Sequence, residues 1–222
     1  MYLFSLGTKT ADDRSGVLPG LEVNYGALPN LQLAVFIPQG YDAPNGGRTS
    51  FALEDIELGA KYRFITPGED DWFPQVAVYP QVLVPVGNQK FGFSTGHAQI
   101  FLPIWLQKDF GRWTAYGGGG YWINPGAGNK NYSFVGAALW YKLNDRLALG
   151  AEIFHQTPSS SPSLGISQTA LSSDIEASTG FNVGLIYDLS EHWHLLGAAG
   201  TGIQNRTATN QFSYYVAVSL TY

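Results

Sequence analysis

The chain has no cysteine and a single methionine among its 222 residues. Without Cys there are no disulfides, no thiolate metal sites and no thiol chemistry. The lack is also compatible with export through an oxidising space. Charge is scarce as well: 13% of residues are Asp, Glu, Lys or Arg, where a soluble domain carries roughly 25%. The formal net charge of -5 provides no basic patch, so a nucleic-acid partner has no electrostatic footprint here. Long apolar runs are missing too, and no stretch reaches the roughly 18 consecutive apolar residues of a transmembrane helix. The opening segment MYLFSLGTKTADDR has no basic n-region and turns acidic early, so it does not read as a signal peptide. No helix-length amphipathic pattern competes for any part of the chain.

What the sequence has in quantity is Gly (27), Tyr (13), Phe (13) and Trp (6), set in a pattern of period two. In LEVNYGALPNLQLAVFIP, Leu21, Val23 and Tyr25 alternate with Glu22, Asn24 and Gly26, and after a short turn Leu31, Leu33, Val35 and Ile37 resume the apolar face. EDIELGAKYRF alternates more cleanly, with Ile56, Leu58, Ala60, Tyr62 and Phe64 against Asp55, Glu57, Gly59, Lys61 and Arg63. Such alternation predicts strands, near 2–8, 20–27, 31–39, 52–64, 72–85, 97–108, 113–123, 132–143, 146–157, 179–189, 193–204 and 212–222. Tight connections at LPN, TPGEDD, KDFGR, LNDR and LSEHW alternate with longer ones near 9–19, 40–51, 86–96, 124–131, 158–178 and 205–211. An even strand count with short turns at one end and longer loops at the other predicts an all-β fold. Specifically, it predicts a 12-stranded antiparallel transmembrane β-barrel that takes residues 1–222 as one domain. Prolines interrupt the pattern. Pro38, Pro74 and Pro85 fit strand ends, whereas Pro80 and Pro103 require a bulge or local irregularity.

A soluble β-sandwich or lipocalin-like barrel also alternates, but its polar face must be charged enough to hold it in water. Here the polar faces are mostly Gly, Gln, Asn, Ser, Thr and Tyr, which suits a polar lumen behind a lipid-facing exterior. The expected lumen residues are Glu22, Asn24, Asp55, Glu57, Lys61, Arg63, Gln75, Gln99, Gln107, Glu152 and Asn182. Asp55, Glu57, Lys61 and Arg63 suggest a cross-lumen ion-pair network, since buried charges need partners or water. That network either plugs the barrel or selects solutes. Two aromatic belts are expected at the membrane interfaces. Phe64, Trp72, Trp105, Phe110, Trp113, Trp140, Tyr141, Tyr187, Trp193 and Tyr222 lie toward the short turns. Tyr79, Tyr121, Trp122, Tyr132, Phe134, Phe154 and Phe181 lie toward the other end.

Candidate chemistry is thin. His97 with Ser94, and His155 with Ser159 and Ser160, are local nucleophile–base candidates for a lipid hydrolase. The His-x-Ser-Asn cluster of the outer-membrane phospholipase family is absent, and HAQI and HQTP stand in its place. His192 and His194 are expected at an interface. With Glu191 they are close in sequence, but nothing fixes a further metal ligand. Neither a cofactor nor a metal is expected, and the chain does not read as an enzyme. Asp12, Asp13, Arg14 and Asp42 fall in long loops able to meet ions or lipopolysaccharide. The run AYGGGGYWINPGAGNKNY lacks Gly-Lys-Ser/Thr and has no following helix, so it is no phosphate loop. Gly117 and Gly119 share one face of a strand and Gly118 and Gly120 the other, and on the lumen side the missing side chains leave room for rings or long polar groups. Tyr121 and Trp122 are expected to mark the outer interface.

The last strand, FSYYVAVSLTY, sets Tyr214, Val216, Val218, Leu220 and Tyr222 on one face. It resembles the C-terminal signal of bacterial outer-membrane barrels, which implies recognition by the barrel-assembly machinery through the strand ending at Tyr222. It also implies a periplasmic location for both termini. LEDIELGAKYRFI, PQVAVYPQVLVPVG, FLPIWLQKDFGRWTAYGGGGYWINPG and EIFHQTP, together with STGFNVGLIYDLSEHWHLLGAAG, resemble a widespread bacterial group of transporter-like proteins. That group is related to the outer-membrane proteins of the phenol-degradation meta-pathway, and the resemblance covers most of residues 20–204. It implies a porin-like channel in the outer membrane of a Gram-negative bacterium, among outer-membrane lipids and lipopolysaccharide. The implied solutes are small, aromatic or hydrophobic compounds. A lipid hydrolase and a non-transporting structural or adhesive barrel remain the alternatives.

Overall fold

The structure, a computed structural model, describes residues 1–68, 71–159 and 176–222. Twelve barrel strands follow one another: β1 (Tyr2–Lys9), β2 (Asp13–Leu28), β3 (Leu31–Pro44), β4 (Ser50–Leu53 and Ile56–Ile65), β5 (Gln75–Val78 and Gln81–Val84) and β6 (Gln99–Phe110). The second half comprises β7 (Trp113–Ile123), β8 (Tyr132–Lys142), β9 (Leu147–Gln156), β10 (Ser178–Asp188), β11 (Trp193–Gln204) and β12 (Phe212–Leu220). Each strand pairs antiparallel with its sequence neighbours, and β1 pairs with β12 from Tyr2↔Ser219 to Lys9↔Phe212, which closes the barrel. Among the described residues no helix is long and apolar enough to cross a membrane.

Alternation sorts the two faces. Leu33, Val35 and Ile37 on β3, Leu102, Ile104 and Leu106 on β6, and Val183 and Leu185 on β10 all point outward and are exposed. Strand after strand contributes to this apolar exterior, as a surface against hydrocarbon requires. The inward face carries Glu22, Asn24, Glu57 and Lys61, with two buried clusters on opposite walls. One joins Phe4, Leu6, Val17, Phe36 and Ala217. The other joins Leu83, Phe101, Trp122 and Tyr132.

Three expectations need correction or refinement. Residues 9–19 and 40–51 are largely strand: β2 begins at Asp13 and β3 runs to Pro44, leaving connections of 10–12 and 45–49. Gly16, Pro19, Gly40 and Asp42 look like loop residues. A bulge between Val17 and Gly20 absorbs Leu18 and Pro19, however, and the ladder continues on both sides of it. One side of the barrel therefore stands taller at the long-loop end. Second, of the two options left for Pro80 and Pro103, a bulge or a local irregularity, the structure takes the irregularity, at Pro80, while the strand runs unbroken through Pro103. The β5–β6 register is the same on both sides of them, Val78↔Ile104 and Gln81↔Phe101. The irregularity is an interruption of β5 at Tyr79–Pro80, where proline has no N–H to give the ladder. Third, β4 is interrupted at Glu54–Asp55. Phe51 and Leu53 face out before the break and Leu58, Tyr62 and Phe64 after it. The face changes parity there, and both acidic residues are buried.

Candidate functional site

Two chambers of the interior meet among the described residues. The larger chamber, about 410 Å³, is lined by Phe101, Trp105, Tyr116, Trp122, Phe134 and Trp140, with Glu152 and Asn182 on one wall. The smaller, about 320 Å³, opens toward the short turns among Asn30, Gln32, Arg63, Gln75 and Gln107. Lys61, Trp105 and Tyr116 line both chambers and form the partition. The Trp105 and Tyr116 rings stack at 5.3 Å and 18°, and the Lys61 ammonium stands 5.8 Å from the Tyr116 centroid, within cation–π range.

Strand parity and glycine build the aromatic wall. Phe101 stacks on Trp122 at 4.6 Å and Trp122 on Tyr132 at 5.7 Å. Gly120 lies beneath Phe101 and Gly118 beneath Trp105. A Cβ on Gly118 would approach Trp105 Cε3 to 2.8 Å, and one on Gly120 would approach Pro103 Cα to 2.5 Å. Gly118 also has φ +154°, which side chains rarely adopt. The glycine run is the floor on which the rings lie. Trp105, Trp122 and Trp140, together with Tyr79, Tyr132, Phe134 and Phe154, are therefore lumen residues and not members of the interface belts. The signal was available, since Trp105 shares its phase with Gln99 and Gln107. Phe64, Phe110, Trp113, Tyr121, Phe181, Tyr187 and Trp193 do face outward and are exposed.

The polar lumen residues form short local sets. Asn24 donates to Glu22 at 2.6 Å and accepts from Gln32 at 2.5 Å. Gln81 donates to Glu57. Arg63 donates to Gln75 and Asn30, each at 3.1 Å, near the short-turn mouth. Asn182 donates to Glu152 at 2.6 Å and accepts from Ser213 at 3.1 Å. Gln107 donates to Asp109 at 3.2 Å. The cross-lumen ion-pair network does not form among the described residues. Glu57 takes an amide, Arg63 takes amides, and Lys61 takes a ring. Neutral partners cost less to desolvate than a second charge.

Asp55 and Gln99 lie apart from this lining and hold the connection 85–98 against the wall. Asp55 accepts from the Gly87 N–H at 3.0 Å, Gln99 donates to Thr95 at 3.3 Å, and Asn88 N–H reaches Leu53 O at 3.0 Å. Phe93 from this loop is buried beside Glu54 and Gly40. A loop-anchoring carboxylate was not distinguishable in sequence from a lumen-lining one.

Among the described residues the two candidate histidines contact threonines. His97 Nδ1 contacts Thr95 O at 3.0 Å and His155 Nδ1 contacts Thr179 Oγ1 at 2.8 Å. Ser159 accepts from Gln156 at 3.0 Å, and Ser160 lies outside the described residues. His194 instead bridges Asp188 (Nδ1, 2.5 Å) and Thr221 (Nε2, 3.1 Å) at the short-turn rim. These three residues line neither chamber. No group of His, Cys, Asp and Glu suited to a metal ion occurs among the described residues.

A closed twelve-stranded wall, apolar outside and polar-aromatic inside, defines a transmembrane β-barrel fold. An outer-membrane channel from Pseudomonas putida F1 superposes with a TM-score of 0.77 at 12% identity, covering 100% of this chain and 94% of that one. The KdgM porin, solved in complex with disordered oligogalacturonate, superposes at 0.63 with 8% identity. The NanC porin does so at 0.63 with 10% identity; each covers 100% of this chain and 99% of its own. At these identities the likeness is one of fold. No protein-family model matches the chain, and no curated protein matches it.

Proposed function

We propose that the chain is a passive channel for small solutes in the outer membrane of a Gram-negative bacterium, working without a chemical step. The observation that carries this reading is the pair of chambers meeting at Lys61, Trp105 and Tyr116. A rotamer change of these side chains would join the chambers into one path. The finer reading, uptake of aromatic or hydrophobic compounds, is supported by the stacked rings of the larger chamber, each such contact worth about 0.5–1.5 kcal/mol. It also agrees with the sequence resemblance to the transporter-like group. The lining role falls to Glu22, Asn24, Glu57, Lys61, Arg63, Gln75, Gln107, Glu152 and Asn182, while Asp55 and Gln99 support it through the loop. Liposome swelling with sugars, amino acids and aromatic acids tests the channel. Flux no greater than in protein-free liposomes would sink it.

A further inference from the structure

The taller wall carries a feature that lumen transport does not use. On its outward face Lys9 of β1 lies directly opposite Arg14 of β2, with Phe212 on one side and Ala43 on the other. Both cations are exposed, and neither has an acidic partner within ion-pair distance among the described residues. Like charges directly opposite on a sheet repel. The neighbouring acids do not neutralise them: Asp13 and Asp42 belong to the inward phase, and Asp12 sits at the tip of the connection.

One step nearer the membrane the outward row is Tyr214, Gly7, Gly16, Tyr41 and Phe51. A Cβ on Gly7 would collide with the Tyr41 hydroxyl and a Tyr214 ring carbon, so both side chains cover this glycine. Their hydroxyls meet at 3.5 Å, and Tyr214 reaches Ser5 at 3.0 Å. The result is an aromatic shelf with three hydroxyls along it and the two cations above. Exposed Phe212 and Phe51 flank the shelf. Aromatic rings of this kind mark the headgroup level of a bilayer, and adjacent cations at that level attract anionic headgroups.

We propose that this outward face of β12, β1, β2 and β3 is a docking site for a phosphorylated glycolipid of the outer leaflet. Lys9 and Arg14 take its phosphate, the Tyr41 and Tyr214 hydroxyls take its sugar oxygens, and the rings support the first carbons of its acyl chains. The proposal rests on the membrane placement argued above, and not on the lumen being open.

The folded full chain, purified in detergent, is incubated with bisphosphorylated lipid A and examined by native mass spectrometry. Wild type retains the lipid, and K9Q and R14Q each weaken retention roughly five-fold, the equivalent of about 1 kcal/mol per cation. K142Q/R146Q, at the opposite end, retains it as wild type does. Heat-modifiable migration on gels verifies that each variant is folded. Equal retention by K9Q/R14Q, equal binding of dephosphorylated lipid A, or complete displacement by inorganic phosphate overturns the proposal. A barrel that fails to insert into bilayers at all sinks the membrane reading as well, which separates the two failures.

Discussion

Lys61 holds the positive charge at the partition, and no carboxylate among the described residues pairs with it. Its removal leaves Arg63 as the remaining cation of the lining, beside the carboxyl groups of Glu22 and Glu57. K61M is therefore expected to shift the reversal potential toward cation selectivity in a salt gradient across a planar bilayer, and E57Q to shift it the other way. Identical potentials in both variants would remove these side chains from the permeation route. The glycines beneath the rings admit a second prediction at this scale. G120V forces a side chain against Pro103 and Phe101. Overpacking of this kind costs about 1–3 kcal/mol, read as a lower temperature for the loss of heat-modifiable migration. G26V, at a position with nothing near its Cβ, is expected to leave that temperature close to wild type.

At the scale of elements, the connection 85–98 is held chiefly by β4. Asp55 binds the Gly87 N–H while Leu53 O receives Asn88 N–H. D55A leaves that N–H without its acceptor, a loss of about 1–3 kcal/mol in docking. The expected outcome is faster cleavage after Lys90 by trypsin added to the folded barrel. Unchanged cleavage would assign the anchoring to Phe93 and the Asn88–Leu53 and Gln99–Thr95 bonds. The strands were legible wherever side chains alternated without interruption: β2 from Leu21 onward, β3 to Ile37, and β7 through β12 fall within a residue or two of expectation. The extensions were not legible, because Gly, Pro and Asp at 13–20 and 40–44 have loop-like propensities. Their pairing is set by neighbours that a single strand does not display.

The whole molecule joins a lipid-facing skin to a lumen whose larger chamber is aromatic. Preincubation with benzoate or phenol is expected to slow liposome swelling by sugars, through occupancy of the ring-lined chamber. Equal swelling with and without the competitor would favour a general porin. The closed twelve-stranded fold was legible because count, turn asymmetry and low charge agree with one another. The site was legible only in phase. Glu22, Glu57, Lys61 and Glu152 were placed by parity, but their partners were not, since an ion pair and a Glu–Gln bond have the same sequence signature. The inward Trp105 and Trp140 were misjudged because tryptophan also suits an interface, although strand phase already set Trp105 with Gln99 and Gln107.

Pro80 and Pro103 occupy one level of the wall. Tyr79 N–H reaches Pro103 O at 3.2 Å and Ala60 N–H reaches Pro80 O at 3.1 Å, but neither proline can donate in return. The ladders β4–β5 and β5–β6 therefore each lose one rung at the same height. Deuterium uptake at the Ala60 and Tyr79 amides should outpace that at Leu58 and Ala77, making this seam the first part of the wall to breathe.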